Sequence, residues 1–231
     1  MTLRTVRGVF RDSAAVGFGL VPLGLAFGVI ITHSGLAWWW APVFTSLVYA
    51  GSLEFLLVGL VVAVAPLATI ATTALLVNVR HVFYALSFPL HRVRGRAARA
   101  YSTFAMTDEA YALTTGERGR MWPGRRILLL QLFLQLYWVG GATVGALLGS
   151  LIPDSVQGLD FAMTALFVVL ALEALHNWRA DVPTPVLALL SALAARLLFP
   201  DALLPAAFAM FTAGLLARRV TLARSTVDAD A

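Results

Sequence analysis

The sequence predicts an all-α integral membrane protein, with about six transmembrane helices and one re-entrant or broken helix pair near 41–65. Three observations carry this expectation. Of 231 residues, 60% are hydrophobic and 13% charged, against about half and about a quarter in an average soluble domain. The apolar residues lie in long blocks, 14–32, 37–77, 127–152, 161–175, 182–200 and 202–217, and about 20 apolar residues is the length of a bilayer-spanning helix. The blocks are continuous, whereas strands of a membrane barrel alternate apolar and polar residues.

The first helix is the apolar block 14–32. Arg4, Arg7 and Arg11 precede it as in a signal peptide, but no small-residue cleavage site follows and more spans come after, so it reads as an uncleaved first span. Arginine then orients the rest. All 17 basic residues are Arg; Arg80 and Arg196 lie within apolar blocks, and the others form groups at 4–11, 92–99, 118–126, 179 and 218–224. Positive charge in short loops marks the cytoplasmic side, so all five groups are placed inside. The outside loops are then 33–40, 152–158 and 200–202, which hold no Arg. "WWW" at 38–40 sits where Trp favours the headgroup layer.

Between the first span and the arginines at 92–99 the chain must cross an odd number of times. Two spans in 41–90 would put "HRVRGR" outside. Three would have about 16 residues each, too short for a core about 30 Å thick at about 1.5 Å per residue. The arrangement that fits is a dip over 41–65 followed by a crossing over 67–90. The dip turns at Ala50-Gly51-Ser52, because Gly tolerates unusual backbone angles and Ser52 can cap a second half-helix. The alternative is one long broken helix over 41–65.

The remaining spans are 127–151, 159–176, 183–199 and 203–217, giving six crossings with both termini cytoplasmic. The chain reads as a single transmembrane domain over 1–231, with tails at 1–12 and 218–231. Residues 100–115, "AYSTFAMTDEAYALTT", are amphipathic and predict either a surface helix or a second, inner re-entrant segment. The chain has no cysteine, which excludes disulfides and cysteine metal sites. No cofactor, metal or nucleic acid is expected.

A charged group at mid-bilayer costs about 2.5–3.5 kcal/mol on insertion scales, so it faces protein or water and is a functional candidate. Three places qualify: Glu54 with Gly51, Ser52 and Phe55; Asn78, Arg80 and His81 in the middle of the 67–90 span; and Asp108, Glu109 and Tyr111 near the cytoplasmic surface. Bland readings stand beside these. Glu54 with Arg80 or His81 is a structural ion pair; Gly51 and Ser52 permit close packing; Asp108 and Glu109 are solvated. Pro22, Gly24 and Gly28 kink or pack the first helix. Gly141 and Gly145 mark a helix contact, in this chain or with a partner. Gln131, Gln135, Trp138 and Thr143 make interhelical hydrogen bonds or meet substrate. His33, His91 and His176 are interfacial. Arg196 lies within an apolar block. The coincidence of a backbone break, an acid and "NVRH" within 30 residues matches the broken helices of transporters, whose half-helix ends bind ions and charged substrate groups.

At these residues the chain resembles the AzlC/YgaZ-type family, the large subunits of branched-chain amino acid exporters. The matching stretches are "GFGLVPLGLAFGV" (17–29), "YAGSLEF" (49–55), "NVRHVFYAL" (78–86), "TDEAYAL" (107–113) and "GLDFAM" (158–163). Order and spacing agree over roughly residues 8–220. The resemblance implies export of hydrophobic amino acids across the bacterial cytoplasmic membrane and a small membrane partner subunit of the AzlD/YgaH type. One departure is that the family often has Gln where this chain has Glu54.

The expected function is therefore secondary transport, with no ATP hydrolysis by this chain, since it lacks a Walker A loop. Substrate is expected at Gly51, Ser52, Glu54, Phe55, Asn78, Arg80 and His81, its side chain against Phe27 and Phe55. Glu54 is expected to face a midplane cavity and meet the substrate ammonium. Candidates for proton coupling in an antiport are Glu54, His81, Asp108 and Glu109. The other classes are a passive channel and an intramembrane hydrolase using Ser52 with His81 as base. The hydrolase reading is weakened because "AGSLEF" lacks the second glycine of a nucleophile turn.

Overall fold

The computed structural model of the chain describes residues 3–116, 119–151, 183–199 and 203–229. It is all-helical among those residues, as the sequence predicts. Three helices are long and apolar enough to cross a membrane: Thr5–His33, Leu67–Ser87 and Gly124–Gly149. Gly51–Val62 and Val186–Leu198 are shorter apolar helices. The predicted span 159–176, the loop 152–158, His176, Arg179, Arg118 and the "GLDFAM" stretch lie outside the described residues.

Two compact units are present, one made of Met1–Ile70 and Val77–Met163, the other of Ala71–Leu76 and Thr164–Ala231. In the first, α1 (Leu3–His33) packs along α8 (Gly124–Gly149). Glycine makes this contact possible. A Cβ on Gly28 would lie 2.1 Å from the Ala142 carbonyl oxygen, and one on Gly145 would lie 2.1 Å from that of Leu25. Gly24 and Gly141 meet the opposite backbone in the same way. The small residues flagged in the two helices therefore face each other within this chain, the arrangement expected where lipid supplies no hydrophobic drive between helices.

Helix α1 begins at Leu3, so the segment expected to be a tail is largely helical. It is held there because Val9 is buried and Asp12 accepts a hydrogen bond from the Arg126 guanidinium, which itself lies over the Trp122 ring. Val9, Phe88, Met106, Ala110, Trp122, Ile127, Leu130 and Leu134 form one buried cluster.

That cluster also explains 100–115. The segment is two short helices, α6 (Arg96–Phe104) and α7 (Asp108–Thr115). Between them Ala105 and Met106 are buried. The Gln131 amide donates to the Ser102 and Ala105 carbonyls at 2.8 and 2.9 Å. These carbonyls end α6 and have no partner within it, and a buried carbonyl left unpaired costs about 1–3 kcal/mol. Gln135 accepts from the Tyr101 hydroxyl at 2.9 Å. The polar stripe of α8 is thus interhelical at Gln131, Gln135 and Trp138, while Thr143 bonds only its own helix at Val139.

The 41–65 region is a broken pair, α2 (Trp40–Leu47) and α3 (Gly51–Val62). The crossing that follows is interrupted at one residue: α4 (Leu67–Asn78) and α5 (Arg80–Ser87) are separated by Val79 alone. Asn78, Arg80 and His81 therefore flank a one-residue interruption at Val79, whose backbone stays helical (φ −54°, ψ −28°), within the apolar helix Leu67–Ser87.

In the second unit α9 (Pro183–Leu198) packs on α10 (Leu203–Ala229). Thr184, Ser191 and Ala195 are buried on one face of α9, and Gly214 admits Leu187. Arg218 donates to Thr184 at 2.8 Å, and α10 continues through Arg218 where a tail was expected. Arg196 is exposed.

Candidate functional site

The break between α2 and α3 is built around Tyr49, which takes φ 48°. This left-handed conformation costs a non-glycine residue about 1–2 kcal/mol. Burial holds it in place. The ring lies 5.8 Å from Phe104 and its hydroxyl is hydrogen-bonded to the Thr107 side chain. Thr107 in turn caps α7 by accepting from the Ala110 N–H. The turn expected at Ala50-Gly51-Ser52 thus lies at Tyr49 and Ala50: Tyr49 takes the unusual angle, Ala50 precedes the helix, and Gly51 opens α3 with the Trp138 ring close by.

Ser52 does not cap α3. The residue before the helix is Ala50, whose N–H is taken by the Glu54 carboxylate, Ala50 N to Oε1 2.8 Å. This is the backward reach of a capping box, made one residue further along. The other oxygen, Oε2, accepts from the Trp138 indole N–H at 2.8 Å. Glu54 is completely buried. Phe27, Phe55 and Trp138 close around it, with ring centroids 5.2–6.2 Å apart. The carboxylate sits in the first turn of α3, where the helix dipole favours negative charge.

Two expectations are corrected here. Glu54 does not open into a cavity, because both its oxygens are engaged and the rings meant for substrate pack on one another. Nor does it pair with Arg80 or His81. Arg80 belongs to a second cluster. Its Nη2 donates to Ser52 Oγ at 3.4 Å and is ion-paired with Asp108 Oδ2 at 3.1 Å. The two charged side chains are 41% and 42% exposed.

Spacing aligns the rest of this cluster. Arg80, Tyr84 and Ser87 share one face of α5, and Asp108 and Tyr111 one face of α7. Tyr84 stacks on Tyr111, 4.3 Å between centroids and 14° between planes, and its hydroxyl neighbours Asp108. Ser87 Oγ and the Tyr111 hydroxyl are 2.8 Å apart. The two helices are zipped by three matched contacts. Within this zipper, Arg80 Nε and Asp108 Oδ1 are buried atoms with no hydrogen-bond partner, and Asn78 Oδ1 is another such atom.

The remaining candidates lie at the rim. His81 Nδ1 is 3.1 Å from the Asn78 carbonyl and its ring packs on Tyr84. Glu109 is half-buried and lies electrostatically close to Tyr49. No hydrogen bond joins Ser52 to His81, so the nucleophile–base pair of a hydrolase is not formed. Among the described residues no group of three metal-ligating side chains occurs. The sequence reading missed Tyr49, Thr107 and Tyr84. It flagged Trp138 as polar within α8 but not as the partner of Glu54.

Comparison with known proteins adds the context. The family model described as AzlC protein matches residues 15–152, which span both helix breaks, α7 and α8. A Bacillus subtilis protein named "Branched-chain amino acid transport protein AzlC" is 32% identical over 171 residues, covering 72% of this chain and 66% of that protein, just under two thirds of its length. A Helicobacter pylori protein named "Uncharacterized membrane protein" is 32% identical over 174 residues, 74% of this chain and 76% of the relative. The Escherichia coli "Inner membrane protein YgaZ" is 28% identical over 198 residues, 82% and 80% of the two chains. No solved structure matches.

Proposed function

The chain belongs to the AzlC family of membrane proteins, and on that premise we propose that it is the large subunit of a secondary transporter that exports branched-chain or other hydrophobic amino acids across the cytoplasmic membrane. The relative named as a branched-chain amino acid transport protein supports the substrate class. The observation that carries the reading is the meeting of two helix breaks at a half-exposed arginine: Arg80, at the start of α5, reaches Ser52 in the first turn of α3 and Asp108 at the start of α7. Interrupted helices free backbone groups and helix ends for charged substrates, and a guanidinium is the side chain best shaped for a carboxylate.

In this reading Gly51, Ser52, Asn78, Arg80 and His81 border the substrate, with Glu54 and Phe55 forming the wall behind Ser52. Glu54, His81, Asp108 and Glu109 are the groups through which protons would be exchanged for amino acid. A small membrane subunit of the AzlD/YgaH type completes the transporter. Both termini are cytoplasmic.

The test is counterflow of labelled L-leucine in proteoliposomes, with and without the small subunit, across an imposed pH gradient. Accumulation that follows the pH gradient and needs the small subunit supports the reading. Ohmic currents without uphill movement would favour a channel.

A further inference from the structure

Resting on the transport reading above, we infer that the Arg80–Asp108 pair is a zwitterion site: an α-amino acid inserts between the two side chains, its carboxylate taking Arg80 and its ammonium taking Asp108. The pair is incomplete as it stands. A guanidinium and a carboxylate in full contact make two parallel hydrogen bonds. Here a single nitrogen, Arg80 Nη2, serves both Asp108 Oδ2 and Ser52 Oγ. Arg80 Nε and Asp108 Oδ1 are buried and unpartnered. One unpartnered donor thus lies on the cation and one unpartnered acceptor on the anion, both atoms held out of water.

An inserted amino acid satisfies both. Its two carboxylate oxygens engage the guanidinium, and its ammonium, with three donors, engages the Asp108 oxygens. Charge is conserved: one ion pair becomes two in series, and no net charge is added to the site. Free carboxylates without an ammonium leave Asp108 displaced and unpaired. Free amines leave Arg80 in the same state. The site therefore reads both ends of the backbone and leaves the side chain to its surroundings.

Insertion also has a mechanical consequence. Arg80 and Asp108 sit at one end of the α5–α7 zipper, whose other contacts are the Tyr84–Tyr111 stack and the Ser87–Tyr111 hydrogen bond. A group placed between the charges spreads that end of the two helices, and the contact with Ser52 ties the movement to α3. Asp108 is thereby an internal stand-in for substrate carboxylate, and substrate opens the zipper by replacing it.

The test uses the chain with its small subunit in proteoliposomes, with labelled L-leucine counterflow as readout and two competitors. 4-Methylpentanoate lacks the ammonium, and 3-methylbutylamine lacks the carboxylate. In the wild type neither should compete within about tenfold of unlabelled leucine. In Asp108→Asn the internal carboxylate is gone. Leucine should weaken, 4-methylpentanoate should strengthen, and the ratio of their apparent affinities should fall by about tenfold or more. Arg80→Lys keeps the charge without the fork and should weaken leucine by about tenfold. Wild-type inhibition by 4-methylpentanoate as strong as by leucine overturns the inference, whether or not the variants fold. So does an unchanged ratio in Asp108→Asn with leucine counterflow intact, and transport itself then stands. Absence of leucine counterflow in the wild type removes the transport reading and the inference together.

Discussion

Replacing Glu54 by Gln while replacing its partner Trp138 by Phe tests how the α2–α3 break is held. Glu54 is completely buried, and each oxygen accepts one N–H, from Ala50 and from Trp138, both at 2.8 Å. Glutamine offers one oxygen and one NH₂. Whichever way it turns, a donor faces a donor. Glu54→Gln therefore loses one charge-assisted hydrogen bond and strands an N–H, a cost of about 2–3 kcal/mol. Trp138→Phe retains a ring against Phe27 and Phe55 but leaves Oε2 without a donor, about 1–3 kcal/mol. In the double variant the glutamine oxygen takes Ala50 N–H and its NH₂ faces a phenyl ring, so the conflict introduced by the first change is relieved. The two effects should then fall short of their sum by about 1–2 kcal/mol. The assay is a double-mutant cycle on detergent-solubilised protein, by denaturant titration or by melting temperature at about 2–4 °C per kcal/mol for a chain of this size. Additivity within about 0.5 kcal/mol would refute the direct Glu54–Trp138 bond as the fastening of α3 to α8.

Other outcomes follow from the same packing. Gly28→Ala places a methyl 2.1 Å from the Ala142 carbonyl oxygen and should destabilise by about 1–3 kcal/mol. Gly59→Ala, with nothing within 4 Å, should leave the melting temperature unchanged or raise it by about 1 kcal/mol equivalent. For topology, Arg94→Cys should be shielded from an impermeant thiol reagent in intact cells and Ala37→Cys should react; the chain has no native cysteine to label. If Glu54 exchanges protons, Glu54→Gln should flatten the dependence of leucine counterflow on external pH, and an unchanged pH profile would assign it a structural role alone.

Much of this architecture is legible in the sequence because its physics is local. The apolar blocks yield Thr5–His33, Leu67–Ser87 and Gly124–Gly149 nearly as read, since span length depends only on the bilayer. The break in 41–65 was visible because Gly51 and Ser52 interrupt an apolar run. Its position was not, since Tyr49 is held in a left-handed conformation by Phe104 and Thr107, more than 50 residues away in sequence. Partners across the fold were equally hidden. Glu54 and Trp138 are 84 residues apart, and Arg80 chooses Asp108 although Glu54 is nearer in the chain. Composition showed that these charges need acceptors; only packing decided which. The glycines of α1 and α8 announced a close helix contact, but the backbone had to be seen to identify each as the other's partner.

The most direct test of the account is counterflow of labelled L-leucine by the chain with its small subunit, wild type against Arg80→Gln. The glutamine keeps a polar side chain beside Ser52 and Asp108 but cannot hold a carboxylate by charge. The account predicts leucine accumulation by the wild type and its loss, by about tenfold or more, in protein that inserts and melts normally. Equal accumulation by the two would contradict it, because the residue at which both helix breaks meet would then take no part in binding substrate.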